Sequence, residues 1–178
     1  AVGGPGDGVL MQTPVYHPFL SAPQNNGRLR QDAPLTYVSD GDHTFHYEID
    51  FDAFEAAIQE NTRLFLLCHP HNPVGQAYTP EQLTRMAEIC LRRDVVICSD
   101  EIHSELLLDD ITHVPLATLS PEIADRTITL IAPSKTFNTA GLGCSFAIVS
   151  NPDLRQQMQA AAEGIVPFVN AMGLAAAL

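Results

Sequence analysis

The sequence predicts an α/β fold, a mostly parallel sheet flanked by helices on both faces. Short apolar runs recur along the chain, at residues 63 to 68 (RLFLLC), 95 to 99 (VVICS) and 127 to 132 (TITLIA). Between them stand segments whose apolar residues repeat at three and four, opened by helix-start signals. Strands that are apolar throughout, separated by helices, are the mark of a sheet buried on both sides rather than on one.

The elements follow in order. Residues 9 to 12 (VLMQ), after the turn Gly6-Asp7-Gly8 and before Thr13-Pro14, read as a buried strand. Residues 28 to 48 are polar and irregular, with strands predicted near 34 to 38 and 44 to 48. Asp52 is read as an N-cap, with Glu55 three residues on and Phe54, Ala57 and Ile58 marking one face of a short helix. The strand 63 to 68 comes next. Thr79-Pro80-Glu81-Gln82 is a capping box with Pro at the first helical position, and Leu83, Met86, Ala87, Cys90 and Leu91 form the apolar stripe that follows. Strands at 95 to 99, 127 to 132 and 144 to 149 (CSFAIV) precede Asn151-Pro152, which opens a helix through about residue 162.

Composition narrows the function. The 178 residues are 46% apolar, enough for one sizeable core. Nine Lys and Arg against 21 Asp and Glu leave a formal charge of −12, which repels nucleic-acid phosphates and anionic membranes alike. No apolar run approaches the roughly 20 residues needed to cross a bilayer, and the first residues lack the basic and apolar regions of a secretory signal. Cys68, Cys90, Cys98 and Cys144 stand at irregular spacings, which predicts buried thiols in a reducing, cytoplasmic setting rather than disulfides or a zinc site. The closing GLAAAL is a helical pattern without a stop signal, so the chain is expected to be a piece of a longer one.

In open sheets of this kind ligands gather beyond the carboxyl ends of the strands. There the sequence sets Tyr16 after the first strand, Asn72 in HPHNPVG after the second, Asp100, Glu101 and His103 after the third, and Ser134 and Lys135 after the fourth. Lys135 is the chain's sole lysine, all eight other cations being arginine. Alone it reads equally well as a solvated strand-end residue. In a partly desolvated site, however, an amine loses its proton more readily, as Schiff-base chemistry requires. Pyridoxal phosphate (PLP) bound to such a lysine needs a carboxylate on its ring nitrogen, a donor to its phenolate oxygen and a flat side chain over its ring. Asp100, Asn72 and Tyr16 are of those types, though singly they read as a cap, an Asn-Pro turn and a packed aromatic.

At TPVY, HNPVG, SDEIH and SKTFN, in that order, the chain resembles the fold-type I PLP enzymes of the class I/II aminotransferase family. The segments SDEIHSEL and APSKTFNTAGL are most similar to the MalY/PatB-like cystathionine β-lyases, and His103 stands where typical transaminases have Tyr. The resemblance implies a PLP-dependent C-S β-lyase that takes a cysteine-type amino acid to pyruvate, ammonia and a thiol, with an aminotransferase as the alternative. Lys135 would carry the cofactor and move the α-proton, Asp100 would hold the ring nitrogen, Asn72 and His103 the phenolate oxygen, Tyr16 the ring face, and Ser134 the phosphate. It further implies a homodimer acting on a small-molecule substrate, and residues 1 to 178 as part of a PLP-binding large domain whose phosphate loop and small domain lie outside this segment. By itself the segment is then expected to bind cofactor weakly and turn over little. Two positions depart from the family: a phosphate-binding Ser and Arg are replaced by Ala132 and Gly143. Two further readings stand beside it. His69 and His71, joined by Asp100, Glu101 and His103, would make a metal site for hydrolysis, and a non-catalytic cofactor-binding module would use the same pocket.

Overall fold

The computed structural model describes residues 2 to 108 and 110 to 178. The strands β1 (Gly8–Thr13), β2 (Leu29–Pro34), β5 (Thr62–Cys68), β6 (Val96–Asp100), β7 (Thr127–Ile131) and β8 (Phe146–Val149) form one sheet in the order β2-β1-β5-β6-β7-β8. All neighbouring pairs are parallel except β7 with β8. From β1 the chain steps to one side for β2 and then returns to the other for β5. The switch point of the sheet therefore falls between the carboxyl ends of β1 and β5, where a crevice opens in folds of this kind.

Alternation along the strands sorts the core into two faces. Leu10, Phe65, Leu67 and Ile97 point to one, where α2 (Phe51–Ala56), α3 (Pro80–Arg92) and α4 (Pro121–Asp125) cover them. Phe54 meets Phe65 edge-on at 5.0 Å there. Val9, Met11, Leu64, Val96 and Ile128 point to the other, beneath α1 (His17–Asn25) and α5 (Pro152–Ala162). This second face is incompletely covered, because a cavity of about 300 Å³ lined by Leu64, Leu66, Cys98 and Leu130 separates α1 from α5.

Thr79 accepts the Gln82 N–H and the Gln82 side chain accepts the Thr79 N–H, so α3 begins at the expected capping box. Asn151 caps α5 by accepting the Asp153 and Leu154 N–H groups on its side-chain oxygen. The start of α2 corrects the sequence reading. Asp50, not Asp52, is the cap, taking the N–H groups of Asp52 and Ala53, and Asp52 lies in the first turn, where its charge favours the helix N-terminus. The strands expected near 34 to 38 and 44 to 48 are β3 (Thr36–Gly41) and β4 (Thr44–Glu48), an antiparallel hairpin apart from the main sheet. Three elements escaped the pattern: α1, whose Pro18 and Pro23 read as breakers, β2, where Arg30, Gln31 and Asp32 break the apolar run, and the short α4, opened by Ser120-Pro121. The final strand, expected over 144 to 149, starts at Phe146. A last helix, α6 (Ala171–Ala176), occupies the apolar end of the sequence.

Candidate active site at the carboxyl end of the sheet

Asn72, Asp100 and Lys135 follow three adjacent strands, β5, β6 and β7. Register places Cys68 beside Asp100 and Asp100 beside Leu130, so the segments that carry the three groups leave the sheet side by side. The β5 loop is anchored by two bonds: the Asp100 carbonyl accepts the His69 N–H at 2.9 Å, and the Cys68 Sγ accepts the Asn72 N–H at 3.3 Å. Across the switch point the Tyr16 N–H donates to the Asn72 carbonyl at 2.8 Å, which fixes the Tyr16 loop against the Asn72 loop. Tyr16 keeps an exposed ring, 41% accessible.

Asn72 and His103 line one cavity of about 400 Å³, walled by Pro70, His71, Leu106 and Ile111. His103 is half-buried, and its ring has no hydrogen-bond partner among the described residues. That is the state of a group free to meet a ligand rather than of a satisfied core histidine.

Asp100, the last residue of β6, does not line this cavity. Its Oδ1 accepts the Ile102 N–H at 3.2 Å, and Oδ2 has no partner among the described residues. Burial raises the Asp100 pKa, against the Ile102 hydrogen bond and the His103 and Lys135 charges, which lower it. A half-buried carboxylate with one oxygen free is what could accept the N–H of a ring nitrogen and keep it protonated.

Lys135 sits inside a turn that opens β7's exit, closed by Phe137 N–H to the Pro133 carbonyl at 2.9 Å. Its amine makes no ion pair among the described residues. The expectation of partial desolvation is corrected here: Lys135 is exposed, because the residues of this segment leave the strand end open. Any drying of the amine must come from what binds beside it. Ser134 is half-buried, and its carbonyl rather than its hydroxyl closes the local turn, taking the Thr139 N–H at 3.1 Å. At Gly143, where the resemblance leads one to expect an Arg, φ is +57°, an added side chain would meet open space, and the residue itself offers no cation.

The metal reading does not survive the geometry. The His71 Nε2–H donates to the Pro14 carbonyl at 2.8 Å while Nδ1 accepts the Tyr78 hydroxyl at 3.0 Å. The His69 Nε2–H donates to the Val114 carbonyl at 3.2 Å while Nδ1 accepts the Tyr78 N–H at 3.4 Å. All four ring nitrogens are engaged by protein, and no cluster of three metal-ligating side chains occurs among the described residues. Glu101, assigned to the same metal set, is instead a buried acceptor. It takes the Ser99 hydroxyl at 2.8 Å and the Leu116 N–H at 3.1 Å on Oε1, and His113 Nε2 at 2.8 Å on Oε2. Sequence reading assigned no role to His113 or Tyr78, since neither stands in a recognisable spacing with its partner.

Among the described residues the four cysteines are free thiols, three buried and Cys98 half-buried, with burial pushing the Cys68 thiol up to about 11. Among the described residues no helix is long and apolar enough to cross a membrane.

The chain is similar to cystathionine beta-lyase PatB of Bacillus subtilis, 44% identical over 146 residues that make up 82% of this chain and 36% of that protein. It is also similar to kynurenine--oxoglutarate transaminase 3 of Mus musculus, 32% identical over 81% of this chain and 32% of that one. Among solved structures, a PLP-bound C-S lyase from Staphylococcus hominis matches with a TM-score of 0.87 and 32% identity, over 98% of this chain and 42% of that one. The chain thus spans well under half the length of these relatives. Residues 1 to 178 match the family described as Aminotransferase class I and II, and the chain belongs to that family.

Proposed function

We propose that this chain is part of the cofactor-holding domain of a PLP-dependent C-S β-lyase, acting on a cysteine-type amino acid such as cystathionine. The observation that carries the reading is the register that sets Asp100, at the end of β6, between the strands that lead to Asn72 and Lys135, with Asn72 and His103 lining one cavity. Similarity to cystathionine beta-lyase PatB and to a C-S lyase structure supports the lyase branch.

When bound, PLP supplies an electron sink for the charge left on the substrate α-carbon after its proton departs. The chain's residues do the rest. Lys135 anchors the cofactor through its amine and carries the α-proton once the substrate has taken its place. The free oxygen of Asp100 keeps the ring nitrogen protonated, which makes the sink deep. Asn72 and His103 donate to the phenolate oxygen, and the exposed Tyr16 ring covers one ring face. Ser134 contributes its hydroxyl toward the phosphate, where Ala132 and Gly143 offer none of the family's usual help. The net reaction would take a cysteine-type amino acid and water to a thiol, pyruvate and ammonia. An aminotransferase would use the same groups and differ only in where the proton returns, a second reading favoured by the match to the mouse transaminase. The family resemblance extends the proposal to a homodimer, and the free thiols to a reducing, cytoplasmic setting.

The test is reduction of the PLP-loaded protein with borohydride, followed by peptide mapping. A reduced adduct on Lys135, absent in Lys135→Ala, is expected; labelling elsewhere, or none, overturns the cofactor reading. Pyruvate released from L-cystathionine without an oxo-acid acceptor marks the lyase, whereas dependence on such an acceptor marks the aminotransferase.

A further inference from the structure

The HxH pair has no place in the chemistry just derived, yet it is among the most constrained groups in the molecule. His69 and His71 are 1% and 2% accessible, and Tyr78 is 4% accessible. The bonds described above form one continuous path. It runs from the Pro14 carbonyl through the His71 ring to the Tyr78 hydroxyl, then from the Tyr78 N–H through the His69 ring to the Val114 carbonyl. Each end of the path lands on a different loop. Pro14 is two residues before Tyr16, His71 is adjacent to Asn72, and Val114 lies in the segment that leaves β6 with His103.

We propose that His69, His71 and Tyr78 are positioning residues that lock the loops bearing Tyr16, Asn72 and His103 into one preformed rim for the cofactor. The inference rests on the proposed cofactor reading for its purpose, but the lock itself is a property of this chain. Each imidazole has a single tautomer consistent with its partners: Nε2 carries the hydrogen that meets a carbonyl, and Nδ1 is left to accept. Both rings are therefore neutral bridges. Burial favours that state, holding the His71 pKa below the usual histidine value and the His69 pKa at about 4. The Tyr78 ring also stacks on His69 at 5.9 Å and meets His71 edge-on at 5.8 Å, so the bridge is packed as well as bonded. An apolar core at these positions would fill the space but give no direction to the loops, whereas a site that must hold several groups in register needs its support ordered.

The test compares Tyr78→Phe, which keeps the ring and removes the hydroxyl, with His71→Leu and His71→Gln, the latter able to restore a donor toward the Pro14 carbonyl. Two readouts are taken: hydrogen exchange at the Tyr16 amide without cofactor, and PLP affinity with the visible circular dichroism of the bound cofactor. Tyr78→Phe and His71→Leu are expected to speed Tyr16 exchange about tenfold, with amides of β5 and β6 unchanged, and His71→Gln to recover much of the protection. PLP affinity should weaken by about tenfold with a smaller dichroic band. Unchanged Tyr16 exchange, or a loss that spreads equally over the sheet and is not recovered by His71→Gln, overturns the lock. If exchange behaves as expected while the unaltered protein takes up no PLP, the lock stands and the cofactor reading falls.

Discussion

Replacing Glu101 with alanine should be among the most destabilising single changes near the site. The carboxylate is 1% accessible and takes three donors, from Ser99, Leu116 and His113. The Ser99 hydroxyl can rotate toward another acceptor, but the Leu116 N–H and the His113 Nε2–H cannot. Two buried donors left unpaired cost about 1–3 kcal/mol each, and removing one partner of a buried pair costs about 3–5 kcal/mol in all. We expect about 4 kcal/mol for Glu101→Ala, a large part of the ~5–15 kcal/mol that holds a typical domain folded. Glu101→Gln should cost less, about 1–2 kcal/mol, because one amide oxygen still serves Ser99 and Leu116. Only the His113 Nε2–H then loses its acceptor. Urea unfolding of both variants at neutral pH supplies the numbers. A cost for Glu101→Ala under about 1 kcal/mol, or equal costs for the two variants, would refute the view that Glu101 pins the far end of the β6 loop by hydrogen bonding.

Acid should weaken the fold through His69. Its folded pKa of about 4 lies below the ordinary histidine value of 6.5, so the unfolded chain binds the extra proton first. Stability is then full above pH 6.5 and falls as pH drops toward 4, by about 3 kcal/mol in total for this ring. His69→Gln should flatten that dependence in pH-resolved unfolding curves, and an unchanged slope would contradict the assignment. At the start of α3, Thr79→Ala removes a hydroxyl that accepts the Gln82 N–H. It should cost about 1 kcal/mol in urea unfolding while leaving PLP binding unchanged; a change in PLP affinity would show that the start of α3 bears on the site.

Much of this protein was legible residue by residue, because the signals concerned are local. The capping box at Thr79 and the Asn-Pro start at Asn151 fixed two helices by chemistry within four residues. The apolar runs marked β5, β6 and β7, most of whose residues are buried or half-buried. Lys135, Asp100 and Asn72 could be singled out because each follows such a run. Where the signal was ambiguous the reading slipped. Asp50 and Asp52 are equally good caps in sequence, and only the extended backbone at Asp50 selects between them. Prolines hid α1, and charged residues hid β2 as an edge strand. What tertiary structure alone decided is which distant groups meet. No spacing announces that His71 reaches Pro14, that Tyr78 joins two histidines, or that Glu101 faces His113 rather than a metal. Hydrogen bonds between residues far apart in the chain depend on how strands are ordered in the sheet, and that order is set by packing of the whole core rather than by any short stretch of sequence.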